Sequence, residues 1–294
     1  MQKLIITLSL LLAVLAYYWV DRFEPEAVKG KRVLITGAST GIGEQIAYNY
    51  ARLGAEVFIT ARREKRLQEV VEVCKQLGQL DGRYHYLPAD MADPASVEKV
   101  IKEAVAKMGG LDTIVLNHIM LNDLGQWTGS KENLTLIQNV LKINFHSYVL
   151  LASLGLPHLE ASGGSLVVVN SVAGKVHQPY VIAYSSSKFA LDGFFGGLRQ
   201  EFILKGSRVS ITSCTIGLIG TENAITQLSK YGLHHLFEKI PPATPEDTAM
   251  AIIKGATLRQ REVFYPFGQT YFGTVFRDVF PDLILSITRY AYSK

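Results

Sequence analysis

The chemistry this sequence offers is concentrated in one stretch, Ser171 to Lys188, SVAGKVHQPYVIAYSSSK. The spacing of Tyr184 and Lys188 sets both side chains on one face of a helix, one above the other. A free phenol titrates near ~10 and shuttles protons poorly at neutral pH, whereas an ammonium beside it favours the phenolate and is expected to bring its pKa toward the working range. Ser171, at the end of an apolar run, is placed to aim a hydroxyl at the same point. A phenol, an ammonium and a hydroxyl converging on one spot suit the polarisation and protonation of a carbonyl oxygen. A Tyr and a Lys at this spacing are more often a half-exposed pair without chemistry, so the reading depends on the elements around them.

Downstream of Pro25, short β-branched runs alternate with helical stretches, the pattern of a parallel sheet covered on both faces. The predicted strands are Arg32 to Thr36, Glu56 to Thr60, Tyr84 to Leu87, Thr113 to Asn117, Leu166 to Asn170, Val209 to Cys214 and Val263 to Tyr265. This is an α/β fold, a doubly wound parallel sheet of about seven strands with helices on both faces. One helix is predicted to open at Asp93-Pro94, an N-cap aspartate followed by a proline at the first helical position. The helix that continues Tyr184 and Lys188 runs on through FALDGFFGGLRQEF.

A second functional signal follows the first strand: Thr36-Gly37-Ala38-Ser39-Thr40-Gly41-Ile42-Gly43, opening the helical run EQIAYNYARL. Glycines there let the backbone approach a pyrophosphate, which a helix N-terminus attracts with its free N–H groups and dipole. At the end of the second strand stands Thr60-Ala61-Arg62-Arg63, where an acidic residue would hold a ribose 2′-hydroxyl. A guanidinium at that place, from Arg62 or Arg63, can fork onto a 2′-phosphate instead, which favours NADP(H). Arg63 reads equally as the opening of a solvated helix.

The chain has 294 residues, of which 48% are hydrophobic and 19% charged, a balance that supports a buried core and argues against disorder. A net charge of +4 without a block of basic residues argues against nucleic acid as a partner. The two cysteines, Cys74 and Cys214, fall in a predicted helix and a predicted strand and form neither a metal spacing nor a disulfide framework. The seven histidines form no ligand spacing, His234 and His235 being expected to point apart on a helix, so no metal is expected.

An uncharged run from Leu4 to Val20 is at the short end of the roughly 17 to 25 residues that span a bilayer. Tyr17, Tyr18 and Trp19 at its end suit a membrane interface and replace the small residues of a cleavage site, so residues 1–24 read as an uncleaved anchor and 25–294 as one globular domain. Arg22, Lys29, Lys31 and Arg32 beyond the run, against Lys3 before it, would leave that domain cytosolic, whereas the acceptor sequence Asn133-Leu134-Thr135 has meaning only in a lumenal domain. The apolar stretch Tyr271 to Tyr292 suits docking on the bilayer, core packing or a dimer contact.

The TGxxxGxG turn and the serine followed by Tyr-x-x-x-Lys together resemble the short-chain dehydrogenase/reductase family, with a Rossmann-like fold, over nearly the whole chain. Within the family, Ala16-Tyr17-Tyr18-Trp19, Leu116-Asn117-His118-Ile119 and Ala183 to Phe195 resemble its membrane-anchored 11β-hydroxysteroid dehydrogenases, type 1 and type 1-like. The resemblance implies a catalytic tetrad of Asn144, Ser171, Tyr184 and Lys188. It implies adenine contacts at Asp90-Met91, further cofactor contacts at Asn117, His118 and Ile119, and a nicotinamide-carboxamide segment around Ile219 and Thr221. It further implies a homodimer and a single-pass protein of the endoplasmic reticulum membrane with a lumenal catalytic domain. The reaction implied is NADP(H)-dependent interconversion of a ketone and a secondary alcohol on a steroid, or on another lipophilic carbonyl such as a retinoid, oxysterol or xenobiotic ketone. A fold that kept binding and lost activity is the remaining alternative. Three departures bear on these expectations. Thr40 stands where that branch carries a glycine-loop lysine, Gln178 replaces a tyrosine near the substrate, and Asn223 replaces a threonine beside the nicotinamide segment.

Overall fold

The computed structural model describes residues 22–78, 83–121 and 124–293. The apolar run of the expected anchor, Leu4 to Val20, lies outside them, and among the described residues no helix is long and apolar enough to cross a membrane. Seven strands form one sheet with every neighbouring pair parallel: β1 (Arg32–Thr36), β2 (Glu56–Ala61), β3 (Tyr84–Pro88), β4 (Thr113–Leu116), β5 (Ser165–Ser171), β6 (Ser210–Ile216) and β7 (Glu262–Tyr265). Their order is β3-β2-β1-β4-β5-β6-β7. The strands fall where the β-branched runs predict them, with shifted ends. β6 runs past Cys214 because its ladder with β5 continues to the Ser171–Ile216 pair, and β4 stops at Leu116 because the N–H of Asn117 turns to the Thr36 hydroxyl.

Side chains alternate across the sheet, so each central strand feeds two hydrophobic nuclei. Val33, Ile35, Val115 and Val167 face the helices α1 (Gly41–Arg52), α2 (Glu64–Leu77) and α9 (Pro245–Thr257). Leu34, Ile114, Leu116, Leu166 and Val168 face α3 (Pro94–Met108), α5 (Ser147–Ser162) and α6 (Ile182–Lys205). Each fully buried aliphatic side chain contributes about 1.5–3 kcal/mol relative to leaving it in water. Both cysteines are buried free thiols in the first nucleus. Asp93 caps α3 as predicted, its carboxylate accepting from the backbone N–H of Ala95 and Ser96 at 3.3 and 3.0 Å.

Shorter helices complete the chain: α4 (Lys131–Leu141), a π-helical turn (Lys142–His146), α7 (Glu222–Lys230), α8 (Leu236–Lys239), α10 (Phe267–Val279) and α11 (Pro281–Tyr292). His234 and His235 lie in the turn ahead of α8 rather than on a helix, with ring centroids 6.3 Å apart. The strand order reverses between β1 and β4, which opens a crevice beyond their C-terminal ends, the place where sheets of this kind bind ligands. At the opposite end the Arg32 guanidinium grips Asp112 at 2.8 and 3.0 Å, fixing the start of β1 to the entry of β4.

Candidate active site

The glycine turn lies directly on the crevice. Gly37 has φ +67°, and a Cβ added to it would stand 2.6 Å from the Cα of His118; one on Gly43 would stand 2.4 Å from the carbonyl oxygen of Gly37 and 2.5 Å from Nδ2 of Asn117. Glycine at both positions therefore lets the turn close against the end of β4. Asn117 Nδ2 donates to the carbonyls of Thr36 and Gly37, both at 3.2 Å, which holds the turn in place. Thr40 precedes α1 without a side-chain cap, so it leaves the first amides of that helix to a ligand. Gly41 has φ +63°, and Thr221 Cγ2 would lie 3.2 Å from a Cβ there, which places the segment after β6 over the same turn. These features fit a dinucleotide: a close backbone cradle, an uncapped helix N-terminus and a covering segment.

The second-strand arginines diverge. Arg62 is exposed. Arg63 reaches the neighbouring glycine turn and donates through Nη2 to Ser39 Oγ at 3.2 Å and Thr40 Oγ1 at 3.1 Å, so it does more than open the helix that follows. Asp90 is exposed with one carboxylate oxygen accepting from Ala92 N–H, whereas the Met91 side chain is part of the second nucleus. Ile219 is likewise a core side chain, and its backbone bridges Ala243. Ile119 is exposed. The His118 ring is enclosed by Thr36 Oγ1 at 2.8 Å and Ser147 Oγ at 2.6 Å, so what it presents to the glycine turn is backbone. Burial drives its pKa down to about 3, and the Lys188 charge adds to this although a bond to the Ile143 carbonyl opposes it; the ring is therefore neutral.

Beyond β5 the chain makes a 3-10 turn, Val172–Gly174, capped by Ser171 Oγ accepting from Ala173 N–H at 3.1 Å. A Cβ on Gly174 would lie 2.8 Å from the carbonyl of Lys188, so glycine allows this turn to rest on α6 and brings Ser171 to Tyr184. The Ser171 hydroxyl acts on the Tyr184 phenol, favouring its ionised form. Lys188 is 1% exposed, donates to the Val169 carbonyl at 2.8 Å and stands 5.6 Å from the centre of the Tyr184 ring. Asn144 sits in the π-turn, its Oδ1 accepting from Met120 N–H at 2.7 Å and its Nδ2 donating to the Met120 carbonyl at 3.0 Å and to Ser187 Oγ at 3.3 Å. Ser187 in turn donates to the Tyr184 carbonyl at 2.6 Å. The four residues of the tetrad thus converge, although Asn144 reaches Tyr184 through Ser187 and has its side chain engaged by backbone.

The electrostatics depart from the sequence expectation. Burial pushes the Tyr184 phenol above its ordinary value, and the bond from Ser171 only partly offsets it. The same burial lowers Lys188 to about 7. The ammonium was expected to pull the phenol down; desolvation wins because it weakens the cation as well as the phenolate.

An open parallel α/β sheet with a dinucleotide cradle at its switch point and a tyrosine-lysine pair beside it defines a nicotinamide-dependent class of oxidoreductase. The family described as short chain dehydrogenase matches residues 31–232, and the chain belongs to that family of oxidoreductases. It is 43% identical over 286 residues to hydroxysteroid 11-beta-dehydrogenase 1-like protein of Danio rerio, covering 97% of this chain and 96% of that one. It is 45% identical to the protein of the same name from Gallus gallus, covering 90% and 88%. Among solved structures, a short-chain dehydrogenase/reductase of Caenorhabditis elegans with cofactor superposes with a TM-score of 0.70 at 26% identity, over 81% of this chain and 94% of that one. A short chain dehydrogenase/reductase of Burkholderia phymatum in complex with NAD shares the fold, with a TM-score of 0.75 at 18% identity over 87% and 96%.

The interior partners of the tetrad and the residues around Gln178 were not found from sequence. Ser187 carries a local signal, since it lies three residues beyond Tyr184 on the same helix. Tyr292, whose hydroxyl donates to Gln178 Oε1 at 3.4 Å, carries none, because that contact depends on the return of α11 across the molecule.

Proposed function

We propose that this chain is an NADP(H)-dependent reductase of a lipophilic ketone, of the 11-keto/11β-hydroxy steroid type. The observation that carries the reading is buried Lys188 with its Nζ 5.6 Å from the centre of the Tyr184 ring, the Ser171 hydroxyl acting on the same phenol. A nicotinamide coenzyme, when bound, exchanges a hydride with the carbonyl carbon. Ser171 and Tyr184 hydrogen-bond the carbonyl oxygen, so the charge developing there meets donors already in place. Tyr184 gives that oxygen its phenolic proton, and Lys188 stabilises the phenolate left behind. Asn144, fastened to Met120 and Ser187, holds the π-turn against this group. The 2′-phosphate of NADP(H) is assigned to Arg62, with Arg63 closing on the glycine turn.

The steroid assignment is supported by the names of relatives at 41% to 45% identity. Gln178, in place of the tyrosine expected near the substrate, favours a second reading in which another lipophilic carbonyl is used. The proposal includes an anchored protein of the endoplasmic reticulum membrane, a lumenal catalytic domain and a homodimer. The test is Tyr184→Phe, which keeps the ring and removes the proton. With NADPH and a panel of 11-keto steroids, retinal and aromatic ketones, turnover should fall by at least about 10²-fold while NADPH binding persists. Substantial residual turnover would remove Tyr184 from its role.

A further inference from the structure

The turn that follows Ser171 is fastened by the residue that ends it. Lys175 is the C-terminal cap of the 3-10 turn Val172–Gly174, and its N–H donates to the Val172 carbonyl at 2.9 Å. A lysine is ordinarily a surface group, yet this side chain is only 13% exposed. Its ammonium lies 2.7 Å from a carboxylate oxygen of Asp192 and 2.7 Å from one of Glu262. Its carbonyl accepts from Arg277 Nη1. One residue thus joins the turn to three elements: α6 through Asp192, β7 through Glu262 and α10 through Arg277.

The other groups around the two carboxylates do not replace this cation. Arg199 acts on both through its charge, but its Nε and Nη2 donate to the carbonyls of Ile211 and Arg261 at 2.9 and 3.1 Å. Thr215 Oγ1 donates to the same Glu262 oxygen at 3.0 Å and carries no charge. Two carboxylates drawn to one ammonium repel each other without it, so the cluster keeps its geometry only while Lys175 is seated. The place of the seat connects it to the chemistry. Tyr184, Lys188 and Asp192 recur at intervals of four along α6 and share one face. The turn lies along that face, with Gly174 on the Lys188 carbonyl and Lys175 on the Asp192 carboxylate. Ser171, three residues before Gly174, takes its height relative to Tyr184 from these two contacts.

We infer that Lys175 is a positioning residue for the reaction: its ion pairs with Asp192 and Glu262 set the register of the catalytic turn on α6, and thereby the place of the Ser171 hydroxyl beside Tyr184. The inference rests on the reductase reading above for its chemistry and adds a residue outside the tetrad on which the serine depends. A hydroxyl that meets developing charge is effective only where it already stands, and a displacement of about 1 Å costs up to about 10²-fold in rate. The glycine turn and Arg62 belong to other elements, so coenzyme binding is independent of this seat.

The test is a double-mutant cycle in the full chain, with Lys175→Met and Lys175→Arg each made alone and together with Ser171→Ala. Ketone turnover with NADPH is measured alongside NADPH affinity from the fluorescence of the bound nicotinamide. Lys175→Met should lower kcat by roughly ten- to a hundredfold with NADPH affinity unchanged, and Lys175→Arg, which keeps the cation, should recover most of the loss. In the Ser171→Ala background Lys175→Met should cost less than about twofold, because no hydroxyl is left to misplace. An equal loss in both backgrounds, or a loss of NADPH affinity that parallels kcat, would show a general structural role and overturn the inference, as would an unchanged kcat in Lys175→Met. Should Lys175→Met not fold, Glu262→Gln, which loosens the seat without leaving two carboxylates unpaired, goes through the same cycle under the same criteria. Amide hydrogen exchange supplies a readout that does not depend on turnover: Lys175→Met should expose residues 172–176 while β1, β4 and the glycine turn stay protected. If the wild type turns over no ketone, the reductase reading fails, and the exchange pattern decides whether Lys175 holds the turn; unchanged exchange in that segment overturns it.

Discussion

Lys188 carries an ionisable group in surroundings that oppose its charge, and the opposition has a sign that can be measured. Its ordinary value is near ~10.4, and burial lowers it to about 7 in the folded protein. Between those values the unfolded chain holds a proton that the folded chain has released, so stability rises with pH across the window. Below it both states are charged and the folded protein bears the full cost of the buried ammonium. Lys188→Met keeps the stem and removes the charge. It leaves the Val169 carbonyl without its donor at every pH, a constant offset. The thermal midpoint of the variant relative to wild type, without coenzyme, should therefore be highest near about pH 6 and decline steadily toward about pH 10. A difference that stays flat would mean that the ammonium is solvated. The two arginines after β2 separate in a similar way. Arg62→Asp should raise KM for NADPH at least roughly tenfold and improve use of NADH, because a carboxylate repels the 2′-phosphate and accepts from a 2′-hydroxyl. Arg63→Ala should weaken both coenzymes alike, since it releases the hydroxyls of Ser39 and Thr40 rather than a phosphate ligand. If only Arg63→Ala shifts the preference, the phosphate belongs to Arg63.

At the scale of elements, α10 and α11 present an apolar surface that the rest of the described chain does not cover. Phe272 is 50% exposed, Val279 60% and Phe280 54%, and a succession of ring contacts runs through Phe267, Phe272, Phe276 and Phe280. Core packing, one reading of Tyr271 to Tyr292, holds only for an inner face at Ile284 and Ala291. The outer face suits the acyl boundary of a bilayer. A chain lacking Leu4 to Val20 should float with liposomes in a density gradient, and replacement of Phe272, Phe276 and Phe280 by serine should release it. If the shortened chain remains wholly in the aqueous fraction, docking by these helices is excluded. The alternation of β-branched runs made the strands legible before any coordinates, because burial on both faces selects continuous apolar segments. The same signal could not fix the ends of β4 and β6, where a threonine hydroxyl and a continuing ladder decide.

For the molecule as a whole, the glycine turn and the Tyr184–Lys188 pair were legible because each is a short motif with its own local geometry, whereas Asn144 entered only through the family resemblance. The pKa order of Tyr184 and Lys188 was not, since desolvation depends on what folds over them. Nor was the contact of Tyr292 with Gln178 and Tyr180, which joins residues on separate elements. The strand order has a kinetic consequence of its own. β1 pairs with β4, and Asn117 reaches Thr36 across 81 residues of chain, so the crevice cannot exist until a loop of that length has closed. Parallel pairings of such separation are slow, because loop entropy is lost before contacts compensate it. The helix that follows β1 can form early, but its ligand-ready end acquires its opposite wall only when β4 docks. Coenzyme in a refolding mixture is therefore a late arrival: it can hold the finished sheet in place, but it cannot guide the search that builds it.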